Sequence, residues 1–272
     1  MIWLCPHCRC PLELQESRAV CCHNHSFDFA REGYLNLLPA NFKHSKAPGD
    51  DKSMLSARRQ FLAAGYYQPL SEQLASVQAE LLTNFSKRPV QALDLGGGDG
   101  YYSSYLQAQA GDTVQWYLSD ISKEALRLAG KRFARGHCVV ASSFNVPVMD
   151  AGLDIVLRNF APSSDAELKR LLCKQGYLVV VAPGPEHLLE LRQLIYSEPK
   201  RHPFPATPEG ATLEQNHCLT YAMSLAEPSH RDWLFAMTPM VWKSSAELRQ
   251  QWLEADSQVT ADFTIAIYRF PS

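Results

Sequence analysis

The first part of the chain concentrates side chains that bind soft metal ions. The stretch CPHCRCPLELQESRAVCCHNHSFDF holds five of the eight cysteines and three of the nine histidines. Two residues separate Cys5 from Cys8, and twelve residues later come Cys21, Cys22 and His25. Zn²⁺ prefers thiolate and imidazole ligands in a tetrahedron, and a two-residue gap lets two thiolates face one ion from a tight turn. The pattern C-x2-C-x12-C-x3-H therefore predicts a zinc site whose third ligand is Cys21 or Cys22.

Such a site leaves no coordination position for a substrate. Catalytic zinc usually keeps one position open for water, whereas zinc with four protein ligands stabilises a fold. The start of the chain, MIWLCPHC, lacks the basic region of a signal peptide, and no apolar run approaches the roughly 20 residues of a membrane span. We therefore expect a cytoplasmic protein without a membrane span, in which clustered cysteines bind metal rather than form disulfides.

A second group of residues surrounds the glycine-rich stretch PVQALDLGGGDG. Asp94, Gly96, Gly98 and Gly100 form the pattern D-x-G-x-G-x-G, and Asp120 ends the next strand-like segment, VQWYLSD. Glycines let the backbone approach a ligand closely, and a carboxylate at the end of the second strand can bind both hydroxyls of a ribose. The combination predicts a class I methyltransferase that uses S-adenosylmethionine. A nicotinamide-binding Rossmann domain is the alternative.

These residues need a scaffold, which alternating strand and helix patterns supply. VQALDL, VQWYLSD, HCVVAS, LDIVLRNFAP and YLVVVAPGP are typical of strands; YYSSYLQAQA, ISKEALRLAGKRFA and DAELKRLLCKQG, ending at Gly176, are typical of helices. Such alternation builds a parallel sheet with helices on both faces, and ligands gather at the carboxyl ends of its strands. We place Cys138 in a strand and Cys173 on a helix, both in the core. HCLTYAMSL and TADFTIAIYRF are expected to close the sheet as an antiparallel pair.

The chain divides into three predicted regions. Residues 1–38 form a zinc-binding RNA-recognition module, residues 39–88 form a linker with helices, and residues 89–272 form the methyltransferase domain. In the first region, the apolar segment GYLNLLP is expected to pack the module against the rest. In the second, Ser53 is expected to cap a helix over MLSARRQFLAAG that ends at Gly65.

The overall charge gives no general signal for nucleic acid. The net charge is −2, whereas residues 1–60 hold eight basic and six acidic side chains, a balance of +2. Any RNA-binding surface therefore has to be local, with Lys43, Lys46, Arg58 and Arg59 as candidates. Arg58 and Arg59 are neighbours on the predicted helix and point about 100° apart, so only one of them is expected to face RNA.

Together these motifs resemble the bacterial 23S rRNA guanine-N1 methyltransferases, a family that includes the macrolide-resistance relatives of Gram-positive producers. The stretches that carry the resemblance are CPHC…CCHNHSFDFAREGYLNLLP, PGDDKSMLSARRQFLAAGYYQPL, LDLGGGDGYY and APGPEHL, and they extend over essentially the whole chain. Two details depart from the family pattern. Members often have cysteine and glutamate where this chain has Gly97 and Asp99, and tyrosine where it has Phe160.

The resemblance implies a set of site residues and partners. It implies structural zinc on Cys5, Cys8, Cys21 and His25, which favours Cys21 over Cys22. It implies S-adenosylmethionine contacts from Tyr67, from the turn Gly96–Tyr101 and from His187, with Asp120 on the ribose. It also implies a homodimer that holds a 23S rRNA hairpin near the peptide exit tunnel.

The implied reaction is methyl transfer to guanine N1, which lies on the Watson–Crick edge, so a paired guanine has to be unpaired or flipped out. Tyr67, Phe160 or Tyr101 could stack on that base, and Tyr67 is the preferred choice. No general base can be named from the sequence. The alternatives are a small-molecule methyltransferase with an accessory zinc knuckle and a catalytically inactive zinc-containing RNA-binding protein.

Overall fold

A computed structural model describes residues 2–39, 51–255 and 258–270 of the chain. The N-terminal residues form a small antiparallel sheet in the order β1-β2-β3, made of β1 (Leu12–Leu14), β2 (Arg18–Cys21) and β3 (Ser26–Asp28). This sheet links the two halves of the cysteine cluster, since the chain runs out along β1 and returns along β2. The twelve residues between Cys8 and Cys21 are long enough for this outward and return path.

A larger, eight-stranded sheet forms the centre of the molecule. Its strands are β4 (Leu35–Asn36), β5 (Val90–Leu95), β6 (Val114–Asp120), β7 (Cys138–Val140), β8 (Leu153–Asn159), β9 (Leu172–Pro183), β10 (Thr212–Ser224) and β11 (Gln258–Arg269). The order across the sheet is β10-β11-β9-β8-β5-β6-β7-β4. β11 runs antiparallel to both of its neighbours, and the other neighbouring pairs are parallel. The predicted α/β class with a closing antiparallel pair is confirmed.

Helices cover the sheet, and alternate residues of its strands point to opposite faces. The helices are α1 (Lys52–Ala63), α2 (Gln68–Leu82), α3 (Tyr101–Ala110), α4 (Lys123–Ala129), α5 (Asp165–Leu171), α6 (Leu189–Ile195), α7 (Pro228–Ala236) and α8 (Ala246–Glu254). Val90 and Ala92 belong to the core cluster that includes the buried residues of α2 and α3, whereas Leu93 and Leu95 belong to the one that includes α5. Successive side chains of β5 thus alternate between two core clusters, as expected for a strand that is buried on both faces of the sheet.

Two sequence-based boundaries were wrong. The N-cap of α1 is Asp51, not Ser53, because the Asp51 carboxylate accepts the backbone N–H of Met54 at 2.9 Å. Gly65 follows α1 with a φ of +85°, in keeping with its predicted role as a stop.

The predicted helix up to Gly176 ends earlier, at Leu171, and β9 starts at once. Pairing with β8 jumps from Leu153–Leu172 to Ile155–Tyr177, so Cys173 and Gly176 lie in an irregular part of a strand. Cross-strand pairing has overridden a local sequence that favours helix. Cys138 lies in a strand as predicted and is buried.

The N-terminal residues share a core with the large sheet. Leu35 and Leu37 of the segment GYLNLLP are buried, and β4 pairs in parallel with β7, so the predicted packing of this segment is confirmed. The indole N–H of the fully buried Trp3 donates to the carbonyl of Gly136 at 2.6 Å, and its ring packs edge-on against Tyr117. The division into three regions stays a prediction, but the first region has no core of its own apart from the sheet.

Among the described residues, no helix is both long and apolar enough to cross a membrane.

Candidate active site and metal centre

The cysteine cluster has the geometry of a tetrahedral metal site. Cys5, Cys8, Cys21 and His25 offer ligand atoms that all lie within 4.8 Å of one another. The Nδ1 atom of His25 is 3.4 Å from Sγ of both Cys5 and Cys21, and Sγ of Cys8 is 3.6 Å from Sγ of Cys21. Ligands bound to one tetrahedral zinc through bonds of about 2.0 and 2.3 Å are roughly 3.6 Å apart. These residues therefore fit a zinc ion, and Cys22 is not in the group.

Two tight turns position the four ligands. In the first, the N–H of Arg9 donates to the carbonyl of Cys5 at 2.9 Å, and Arg9 has a φ of 60°. In the second, the N–H of Asn24 donates to the carbonyl of Cys21 at 2.9 Å, and Asn24 has a φ of 61°. Left-handed residues close both turns, so each turn folds its two ligands to one side.

The two thiols of the first turn differ in acidity. The backbone N–H of Cys10, with help from the side chain of His23, lowers the pKa of the Cys8 thiol to about 5. Burial raises the pKa of the Cys5 thiol to about 11. Zinc binds thiolate, so a zinc ion here has to displace the proton of Cys5.

The glycine turn after β5 is held by the end of β6. The N–H of Gly96 donates to the carbonyl of Ser119 at 2.8 Å, and the N–H of Gly98 donates to Oδ2 of Asp120 at 2.9 Å. The other oxygen of Asp120 accepts the N–H of Ser122 at 2.7 Å. Gly98 has a φ of +58° with open space where a Cβ would stand, so the turn leaves room for a ligand.

Asp94, at the end of β5, holds an acceptor without a partner. The residue is buried, and its Oδ2 accepts the hydroxyl of Ser103 at 2.6 Å, whereas its Oδ1 makes no hydrogen bond. Burial raises the pKa of Asp94 to about 7. A buried acceptor without a donor is costly, and a cationic donor from a ligand would remove that cost. S-adenosylmethionine carries an amino group and a ribose, and it needs an open glycine turn beside it. The residues present therefore fit this cofactor.

His187 and Tyr67 form a buried polar pair, and Tyr67 belongs to the same core cluster as Ala92 of β5 and Leu106 of α3. Nδ1 of His187 accepts the backbone N–H of Asp262 at 3.2 Å, and Nε2 lies 3.4 Å from the hydroxyl of Tyr67. Burial lowers the pKa of His187 to about 4 and raises that of Tyr67. Because Nδ1 accepts, the neutral ring carries its proton on Nε2 and donates it to Tyr67. The Tyr67 hydroxyl proton is then available for an acceptor in the site.

Sequence reasoning missed Asp262, which organises the loop APGPEHL. Its carboxylate accepts the hydroxyl of Thr220 and the backbone N–H of Glu186, each at 2.8 Å, and its carbonyl accepts the N–H of Gly184 at 2.8 Å. A Cβ on Gly184 would strike the Asp262 carboxylate. The only sequence signal was an acid inside the apolar run TADFTIAIYRF.

Of the three aromatic residues considered for base stacking, Phe160 is the accessible one. It is 50% exposed, whereas Tyr67 is 6% exposed and enclosed by Phe61 and Phe263. Phe160 also has a φ of 53°, a strained conformation for a bulky residue, and its ring centroid is 5.9 Å from that of His187. Tyr101 is half-buried and donates to Gln68.

The four basic residues considered for RNA binding lie in different surroundings. Lys43 and Lys46 lie outside the described residues. Arg58 is half-buried and donates to the carbonyl of Met237 at 3.4 Å, whereas Arg59 is exposed. Arg59 lines a cleft of about 230 Å³ between α1 and α4, with the charged residues Glu32, Lys52, Glu124, Arg127 and Lys131.

Two family models match the chain. The zinc-ribbon model described as "RlmA, N-terminal" matches residues 3–46, and the model described as "Methyltransferase domain" matches residues 93–180. The first contains all four candidate zinc ligands, and the second contains the glycine turn and Asp120.

Three relatives are similar in sequence. The "23S rRNA (guanine(748)-N(1))-methyltransferase" of Streptomyces fradiae is 35% identical over 69% of this chain and 65% of its own length, so the chain spans just under two thirds of that relative. A protein of Micromonospora griseorubida named "Putative 23S rRNA (guanine-N(1)-)-methyltransferase" is 35% identical over 69% of each chain. A Bacillus subtilis (strain 168) protein with the same name followed by YxjB is 29% identical over 97% of this chain and 96% of its own.

Proposed function

This chain belongs to the family of 23S rRNA (guanine-N1-)-methyltransferases, and we propose that it methylates N1 of a guanine in a hairpin of 23S rRNA with S-adenosylmethionine as the methyl donor. The observation that carries the proposal is the unpaired Oδ1 of buried Asp94 beside the open turn at Gly98. Of the buried polar atoms without a hydrogen-bond partner in the described part of the chain, Oδ1 of Asp94 is the carboxylate oxygen.

This geometry supports a set of cofactor-binding residues. The backbone of the turn Gly96–Tyr101 would border the ligand, Oδ1 of Asp94 would accept from its amino group, and the carboxylate of Asp120 would accept from the ribose hydroxyls. The hydroxyl of Tyr67, fixed by His187, would contribute a further donor. When bound, S-adenosylmethionine supplies a methyl group that its sulfonium already activates. The protein therefore contributes mainly alignment.

Phe160 is the residue that we place against the target base. It directly follows β8, is exposed, and lies next to His187. Stacking on an aromatic ring suits a flipped guanine of any orientation in its plane, so selection of N1 has to come from polar groups around it. His187 is neutral and both of its ring nitrogens have partners, so its role is to orient Tyr67 rather than to take the N1 proton.

The zinc-binding module of residues 1–38, here called the zinc platform, supplies an RNA-facing surface to the proposed enzyme. The platform packs on the β7 side of the sheet, and the exposed Arg59 and Lys52 lie in the cleft near Glu32, which belongs to the same N-terminal part. A homodimer in the cytoplasm is part of the proposal and rests on the resemblance to the family. Zinc held by Cys5, Cys8, Cys21 and His25 keeps the platform folded.

Mass mapping of methylated guanines in 23S rRNA tests the proposal. A deletion strain should lack one N1-methylguanine that the wild-type gene restores and Asp94→Asn restores poorly. Glu209→Gln, an exposed acid remote from the glycine turn in sequence, is the control and should restore it fully. Identical 23S rRNA in the deletion and wild-type strains would reject the proposal. It would favour the small-molecule enzyme if the protein binds S-adenosylmethionine, and the inactive RNA-binding protein if it does not.

A further inference from the structure

A second set of soft ligands lies beside the zinc cluster. Sγ of Cys10 is 3.4 Å from Nδ1 of His23, and Sγ of Cys22 is 3.6 Å from the same nitrogen. Cys8, Cys10 and His23 offer ligand atoms that all lie within 4.8 Å of one another. Cys8 therefore belongs to two groups of ligands, one on each side of its sulfur. The proposed methyl transfer uses none of Cys10, Cys22 and His23.

The distances suit a metal better than a hydrogen bond. A neutral imidazole has one nitrogen that accepts, with a single lone pair, yet two sulfurs approach Nδ1 of His23. A sulfur and a nitrogen bound to one tetrahedral zinc ion lie roughly 3.6 Å apart. The sulfur–nitrogen distances around His23 match that value, and they match the distances of 3.4 Å around His25 in the first group.

The same two turns present both groups. The first turn carries Cys8 and Cys10, and it closes when the N–H of Cys5 donates to the carbonyl of Cys10 at 2.8 Å. The second turn carries Cys22 and His23 between Cys21 and Asn24. Once a first ion fixes these turns, the ligands of the second group are already in place, so a second ion orders little more of the chain.

We propose that the chain carries a second zinc site, formed by Cys10, Cys22 and His23 and joined to the first through the shared thiolate of Cys8. The first ion then has four protein ligands. At the second, Cys8, Cys10 and His23 already lie within 4.8 Å of one another, and Cys22, whose Sγ is 3.6 Å from Nδ1 of His23, has to move closer to complete the set of four. The two sites differ in their surroundings: Cys5 and Cys21 of the first are buried, whereas Cys22 and His23 of the second are exposed. Water reaches the second ion, which therefore binds more weakly and exchanges faster than the first.

Competition with a chromophoric zinc chelator under reducing conditions tests the proposal on the full-length protein. The wild-type chain should bind two equivalents of Zn²⁺, the second at least about tenfold more weakly. Cys10→Ser and His23→Ala should each keep the tight equivalent and lose the weak one. Cys218→Ser removes an exposed cysteine far along the chain and should keep both. A single equivalent in the wild-type protein, or two equivalents in Cys10→Ser and His23→Ala, would overturn the proposal.

Cobalt gives a second measurement that does not depend on variants. Two Co²⁺ ions that share the Cys8 thiolate couple magnetically, so the paramagnetic resonance signal per cobalt should fall when a second equivalent is added. A signal that grows in proportion to cobalt through two equivalents would show separate sites and contradict the shared ligand.

Discussion

The carboxylate of Asp120 accepts the backbone N–H of Gly98 at 2.9 Å, so the acid that ends β6 also holds the turn that follows β5. Asp120 thus has two roles in the proposed site, since it fixes the turn and would accept from a ribose hydroxyl. Substitution of Asp120 is therefore expected to weaken S-adenosylmethionine binding both by loosening the turn and by removing the acceptor for the ribose.

Asp120→Ala should weaken S-adenosylmethionine binding by about ten- to a hundredfold. A hydrogen bond to a charged group is worth about 1.5–3 kcal/mol, and the variant loses the acceptor for the ribose. Calorimetry on the zinc-loaded protein gives the affinity. Asp112→Ala, in the exposed 3₁₀ turn before β6, is the matched control and should bind normally. An unchanged affinity in Asp120→Ala would remove Asp120 from the site.

Gly98→Ala, compared with Gly111→Ala, tests whether Gly98 is needed only for its backbone conformation or also to leave space for the cofactor. Gly98 and Gly111 both have a φ of +58°, and a Cβ on either would meet nothing within 4 Å. Each alanine variant should therefore lose about 1–3 kcal/mol of stability from backbone strain, because Gly98 has a positive φ and Gly111 combines a positive φ with a ψ of −136°. Only Gly98→Ala should also lose affinity for S-adenosylmethionine, because its Cβ enters the space that the ligand needs. Equal affinities in the two variants would show that this space is not the binding site.

His187 should make stability depend on pH in a way that His187→Gln does not. Burial lowers the pKa of His187 in the folded protein to about 4, below the ordinary histidine value of 6.5, so the unfolded chain takes up the proton first. The contribution of neutral His187 to the free energy of unfolding is present above pH 6.5 and is lost as the pH falls towards 4. Between pH 7 and pH 5 it should lower the free energy of unfolding by about 2 kcal/mol. Urea denaturation of both proteins at both pH values measures the difference, and parallel losses would contradict a buried neutral His187.

Phe160→Ala should slow methylation of the RNA hairpin and leave S-adenosylmethionine binding unchanged. Stacking on an aromatic side chain is worth about 1–3 kcal/mol per base, so kcat/KM for RNA should fall by about five- to a hundredfold. Phe160→Tyr keeps the ring and should keep the rate. If Phe160→Ala were as active as Phe160→Tyr, the base would have to stack elsewhere.

The parts of this molecule that the sequence predicted are those set by local pattern. The spacing from Cys5 to His25 defined a zinc site, and alternating apolar segments defined the sheet and its closing strand pair. One error is local, since Asp51 rather than Ser53 caps α1, and the other lies where long-range pairing decides. β9 begins at Leu172 because β8 pairs with it there, and no local signal in LLCKQG reveals that partner.

The missing parts of the site have the same origin. Asp262 contacts Thr220 across neighbouring strands and Glu186 in a loop 76 residues away, so its role depends on the register of β11. The second group of ligands was visible as spare cysteines, but only the fold of the two turns brings Cys10 to His23.

The contact between Trp3 and Gly136 spans 133 residues, and the main-chain bond from Leu4 to Pro147 spans still more. During synthesis the amino-terminal segment leaves the ribosome long before its partners exist. At roughly 5–20 residues per second, the indole of Trp3 stays exposed for on the order of 10 s. The cysteine turns, whose ligands are all close in sequence, can capture zinc during that interval. Metal uptake then precedes docking, and the order of assembly follows from the direction in which the chain is made.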